Sequence, residues 1–162
     1  MTSIRKPLMR LLLLLLITLI MSACNEPTGE PAIKAEAIIL DNGNISSFKQ
    51  ALLQDYITAR NDLLNHFKVF KKENNADGFT QYRNIEWTPN YIEKKHYYQV
   101  VLKNNKAYID KVSLKPLFLK LDNLLIIGVN LKHALRDSDD ELLKSTYAQI
   151  KADHAVIRKF KK

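Results

Sequence analysis

Thr88 to Val112 reads TPNYIEKKHYYQVVLKNNKAYIDKV, and the fold class turns on it. Tyr91, Tyr98, Leu102, Ile109 and Val112 share one face at helical spacing, which makes the segment a long amphipathic helix. Thr88-Pro89 then supplies an N-cap and a proline at the first helical position, where the missing N–H is not needed. Lys94 and Asn105 interrupt that face. The alternative is a hairpin over 96–112, in which Tyr97–Lys103 and Lys106–Val112 pair around Asn104-Asn105, with Val100 and Val101 favouring extended backbone. Asn-Asn makes a weaker hairpin turn than Asn-Gly.

The flanking segments favour the helix. On the N-terminal side, Phe48, Leu52, Tyr56, Ala59, Leu63, Phe67 and Phe70 recur at steps of four and three as one apolar stripe. Ser47 and Gln50 stand at capping-box spacing before it, and Lys71 and Lys72 suit its negative end. On the C-terminal side, Ser113 can cap a helix with Pro116 in its first turn. Leu114, Leu117, Leu121, Leu124, Leu125, Gly128, Leu131 and Leu135 continue that helix. Residues 124–129 are apolar nearly all round, as in a central helix, and Gly128 permits a neighbour to approach closely. Ser138-Asp139-Asp140-Glu141 caps a last helix carrying Leu143, Tyr147, Ile150, His154 and Ile157. The segments 47–72, 89–112, 114–135 and 138–160 form rods of about 33–39 Å at 1.5 Å per residue. Near-equal rods joined by short connections predict an all-α, antiparallel bundle of about four helices; with the hairpin the fold becomes α+β. Residues 76–88, with Phe79, Tyr82, Ile85 and Trp87, read as an irregular connection.

The chain has 162 residues, 25 Lys+Arg against 17 Asp+Glu, four glycines, five prolines and one cysteine. One cysteine excludes an intramolecular disulfide and any multi-cysteine metal site. Arg5, Lys6 and Arg10 precede Leu11–Met21, apolar throughout except Thr18. A charged stretch followed by a short apolar run is the pattern of a secretory signal peptide, and the run falls short of the about 20 residues that span a membrane.

Met21-Ser22-Ala23-Cys24 follows that run. It resembles the bacterial lipobox, in which small residues precede a cysteine that receives a diacylglyceryl group; Met21 stands where Leu is usual. The resemblance implies thioether lipidation of Cys24, cleavage between Ala23 and Cys24, and acylation of the new amino group. Asn25, with no Asp at that position, resembles the pattern sent on to the outer membrane. The expected organisation is a signal peptide (1–23), a lipidated cysteine with a flexible tether (24–44), and a helical domain (45–162). Asp41-Asn42-Gly43-Asn44 ends the tether with a turn signal. Loss of residues 1–23 removes three cations and lowers the net charge from +8 to +5.

Catalytic patterns are sparse. His66, His96, His133 and His154 include no pair at i, i+4, and the acids at 137–141 lack the spacing and central glycine of a calcium loop. No phosphate-binding glycine loop or nucleophile motif occurs, so an enzyme, a metal site and a cofactor are not expected. Nucleic-acid binding has no motif behind it. The leading expectation is a lipoprotein facing the periplasm, held by the anchor on Cys24, that acts as a helical interaction or scaffold module for an envelope protein partner. The alternative is a small-ligand binding or sensing protein using the aromatics of 79–98. The candidate ligand or partner surface comprises Trp87, Tyr91, Tyr97, Tyr98, Lys161 and Lys162.

Overall fold

The computed structural model describes residues 38–161. They form α1 (Ile45–Lys72), α2 (Ala76–Tyr82), a π-helical turn (Arg83–Trp87), α3 (Thr88–Asn104), α4 (Lys106–Lys111), α5 (Lys115–Arg136) and α6 (Asp140–Arg158). The fold is an all-α bundle, and no strand occurs among the described residues. Helix α5 packs against α1, α2, α3 and α6. Its Leu117, Leu121, Leu124, Ile127 and Leu131 are buried on more than one side, as a helix that is apolar nearly all round requires.

The hairpin over 96–112 is not formed. Asn105 leaves helical geometry (φ −119°, ψ 22°) and the chain kinks there, but it resumes as α4. Tyr98, Val101 and Ile109 face the core, whereas Val112 is exposed. Residues 76–88 are likewise not an irregular connection. Asn75 caps α2 by accepting the Gly78 N–H at 2.8 Å, and helical backbone continues through the π-turn into α3. Thr88 is therefore interior, not an N-cap. Pro89 explains why the turn widens: without an N–H it leaves a carbonyl of the preceding turn without its usual donor. The Thr88 N–H reaches back to Arg83, and the Asn90 side chain donates to the Glu86 carbonyl at 2.9 Å.

Helix ends are set by residues other than those expected. Asn44, not Ser47, precedes α1; the Ser47 hydroxyl donates back to the Asn44 carbonyl. Ser113 and Ser138 do not cap the following helices. Both adopt left-handed backbone (φ 56° and 52°), as Asn74 does (φ 51°). Each stands just past a helix whose end is closed by a six-to-one bond: Asn75 N–H to Phe70, Leu114 N–H to Ile109, Asp139 N–H to Ala134. This is the Schellman arrangement, in which glycine is the usual residue. Asp139 caps α6, its carboxylate accepting the Leu142 N–H at 2.9 Å.

Side-chain bonds pin the register of the antiparallel helices. Trp87 Nε1 donates to the Ala59 carbonyl at 2.9 Å, joining the π-turn to α1. Tyr98 Oη donates to Asp55 Oδ2 at 2.7 Å, and Asn123 Nδ2 donates to Asp153 Oδ2 at 3.1 Å. Gly128 lies under the π-turn; a Cβ there would meet Arg83 Nε at 3.2 Å and Trp87 Cζ3 at 3.5 Å.

The last residues of the expected tether belong to the fold. Leu40 is buried, its N–H donates to Asn105 Oδ1 at 2.7 Å, and Asn105 Nδ2 donates to the Ile38 carbonyl at 2.7 Å. Tyr108 Oη adds a bond to Asn42 at 2.8 Å. In the turn at 41–44, Asp41 Oδ1 accepts the N–H groups of Gly43 and Asn44.

Candidate functional site

Ala23 and Cys24 lie outside the described residues, as does Lys162. Trp87, Tyr91 and Tyr98 are buried, which corrects their assignment to a free surface. Trp87 stacks on Tyr91 at 4.7 Å and 9°. The Tyr91 hydroxyl donates to the Leu121 carbonyl. Tyr98 meets Phe48 and Phe118 edge-on. Tyr97 is half-buried, edge-on to Tyr98 at 5.0 Å. Large rings whose polar atoms are satisfied by backbone or carboxylate fill a bundle and hold its register. Trp87, Tyr91 and Tyr98 thus join helices together.

Burial raises the pKa of Tyr56, Tyr82, Tyr91, Tyr97, Tyr98 and Tyr147. The Tyr56 phenol is pushed up to about 12 by desolvation, with nearby Arg60 acting in the opposite sense. Tyr98 rises through burial and then through its bond to the Asp55 carboxylate. Tyr91 rises through burial with Asp122 nearby, and Tyr82 through burial with Asp62 nearby. Asp55 also pairs with Lys94.

The last helix carries polar groups in its buried stripe. Asp153 is 1% exposed, and its carboxylate takes Lys120 Nζ at 2.7 Å besides Asn123. Thr146 is buried in the same stripe, its hydroxyl donating to the Leu142 carbonyl. Tyr147 and His154, expected there, are exposed. Arg83 is the other buried ion: burial lowers its pKa, Nη1 donates to Asn84 at 2.7 Å, and Nε has no partner over Gly128.

The histidines do not converge. His66 stacks on Tyr82 at 3.9 Å and lies 3.2 Å from Asp62, while His133 lies beside Asp137. Among the described residues no group of three or more His, Cys, Asp or Glu could hold a metal ion. No helix among them is long and apolar enough to cross a membrane.

What the fold does assemble is one strongly basic end. The chain enters there at Ile38–Leu40, the α3–α4–α5 corner lies there, and α6 finishes there. Residues 38–49, 103–115 and 158–161 bring Lys49, Lys103, Lys106, Lys111, Lys115, Arg158, Lys159 and Lys161 together against only Asp41 and Asp110. The other described residues carry twelve cations and twelve carboxylates, so the whole excess charge of the described chain sits at this end. None of the eight cations pairs with a carboxylate among the described residues, whereas Lys94, Lys95, Lys120 and Arg136 elsewhere do. Slight desolvation and the cations Arg60, Arg158 and Lys161 hold the His154 pKa below its ordinary value.

Apolar side chains sit among these cations. Ile39 is 68% exposed, and Ile38 and Val112 are partly exposed at the same end. Where α6 meets α1, a shallow groove of about 470 Å³ has Leu53, Ile57 and Phe160 in its lining, with Lys49 and Lys161. Lys161 is the one expected surface residue that this region places in solvent. The lysines at 103–115 escape a reading of the sequence because they alternate with core residues and meet the others only on folding.

Comparison of the chain with protein families, curated proteins and solved structures found no match.

Proposed function

We propose that this chain is a membrane-anchored lipoprotein of the bacterial cell envelope, facing the periplasm from the outer membrane, whose bundle serves as a non-enzymatic interaction or scaffold module. The observation that carries the reading is the position of the only cysteine, directly after Met21-Ser22-Ala23 and the apolar run from Leu11. The two ester-linked acyl chains of a thioether-bound diacylglyceryl group, with a third chain on the amino group, would hold the protein in a bilayer far beyond the marginal binding of a single chain, since each buried CH₂ contributes about 0.8 kcal/mol. Trp87, Tyr98 and Asn123 hold the helices of the bundle in register, which suits a module that presents a surface.

The test is metabolic labelling with palmitate. Wild-type protein is expected to incorporate label and to partition with membranes, and Cys24→Ala to lose the label. Equal labelling of both would sink the anchor. Affinity capture of the anchored protein from its native envelope then tests the module role; a reproducible envelope partner is expected.

A further inference from the structure

We infer that the basic end of the bundle docks on the anionic phospholipid headgroups of the bilayer that holds the anchor, so that the domain stands end-on to the membrane. This rests on the lipid-anchor reading and adds to it a second, electrostatic contact made by the folded domain.

Three observations point to a bilayer as the occupant. First, the charge is polarised: eight cations face two carboxylates at one end, and the remainder of the described chain is balanced. A bundle charged in this way is turned by the negative potential of an anionic leaflet, which attracts basic residues held within a Debye length of about 10 Å. Second, Ile39 and Val112 project among the lysines, and apolar side chains beside cations suit the boundary between headgroups and acyl chains. Third, Leu40 is latched to Asn105 at this end, so the chain leading back to Cys24 leaves the bundle from the basic surface. Thirteen residues lie between Cys24 and Ile38, and even fully extended the fourteen steps reach no more than about 50 Å. That short reach keeps the basic surface at high local concentration over the membrane, so individually weak contacts suffice. An acidic protein partner would meet the first observation but leaves the other two without a role.

The experiment uses the full lipidated protein. With Cys24 consumed by lipid, Ala107→Cys places the sole free thiol on exposed α4, and Glu73→Cys places one at the opposite end as a control. Each is labelled with an environment-sensitive fluorophore and reconstituted on vesicles of phosphatidylcholine alone or mixed with phosphatidylglycerol. Docking predicts a blue shift at position 107 on the mixed vesicles only. The shift should vanish at about 1 M salt, where the Debye length is near 3 Å, and should be absent at position 73. Combined Lys106→Gln, Lys111→Gln and Lys159→Gln should abolish it while leaving helical circular dichroism unchanged. Identical emission on both vesicle types, with the protein still sedimenting with them, overturns docking and leaves the anchor intact. Release of the protein from both vesicle types by salt instead overturns the anchor; docking then stands if position 107 still shifts on phosphatidylglycerol at low salt, and falls if it does not.

Discussion

Asn105 accepts the backbone N–H of Leu40 on its side-chain oxygen at 2.7 Å, joining residues 65 apart in sequence. The same amide donates to the carbonyls of Ile38 and Val101. It therefore ties one short segment to the bundle, and at the same time adds a second donor to the Val101 carbonyl, which also accepts the backbone N–H of Asn105 at 3.0 Å.

Asn105→Ala should lower unfolding stability by about 2–3 kcal/mol, because it strands the buried Leu40 N–H besides removing the bonds. Denaturant midpoints measure the loss. Hydrogen exchange should show the Leu40 amide losing protection well before the helices do. Leu40 protection equal to wild type would mean that burial, not the amide, holds this segment.

Ser113 and Ser138 occupy left-handed positions past helix ends, where a side chain costs about 1 kcal/mol relative to glycine. Ser113→Gly and Ser138→Gly should each raise the melting temperature by a few degrees, additively, since they lie at opposite ends of α5. Asn74→Gly should gain less, because asparagine tolerates this conformation better than serine does. No gain from either serine would show that its side chain already compensates for the backbone strain.

Asp153 is a buried carboxylate with Lys120 and Asn123 as partners. Lys120→Met should cost about 3 kcal/mol by leaving the charge unpaired, whereas Lys120→Met combined with Asp153→Leu should recover much of that loss. Additive losses in a double-mutant cycle would disprove the coupling.

Alkaline pH should unfold the bundle through its tyrosines. Tyr56, Tyr82, Tyr91 and Tyr98 all have raised pKa values in the fold, while in the unfolded chain they ionise near 10. The unfolded state therefore loses protons first. Stability should be full below about pH 10 and fall as pH rises towards the folded value of about 12 for Tyr56. Absorbance of these phenolates should rise together with loss of helical circular dichroism. Ionisation of all seven tyrosines near pH 10 with helicity intact would contradict it.

The stripe of α1 and the all-round apolar character of α5 were legible because burial there follows the helical period with large aliphatic and aromatic side chains. Asp153 was not, since a charged residue in a stripe reads as solvent-facing until Lys120 and Asn123 are seen beside it. The length of helix between Ala76 and Asn104 was hidden by Pro89, which looks like a start signal but here sits just past a widened turn. Asn105 read as a turn residue because its local preference is real; the distant backbone it binds leaves no periodic trace. The basic end was visible only at its C-terminal cluster, as the other lysines come from separate segments of chain.

The place of α5 late in the sequence has a kinetic consequence. The apolar faces of α1 and α3 are completed by a helix that ends at Arg136, so neither can be covered until that residue has been synthesised. At about 5–20 residues per second, the interval between the end of α1 and the end of α5 is roughly 3–13 s. Throughout it the nascent chain lacks its centrepiece and cannot close its core, the condition in which a polypeptide can still be threaded across a membrane.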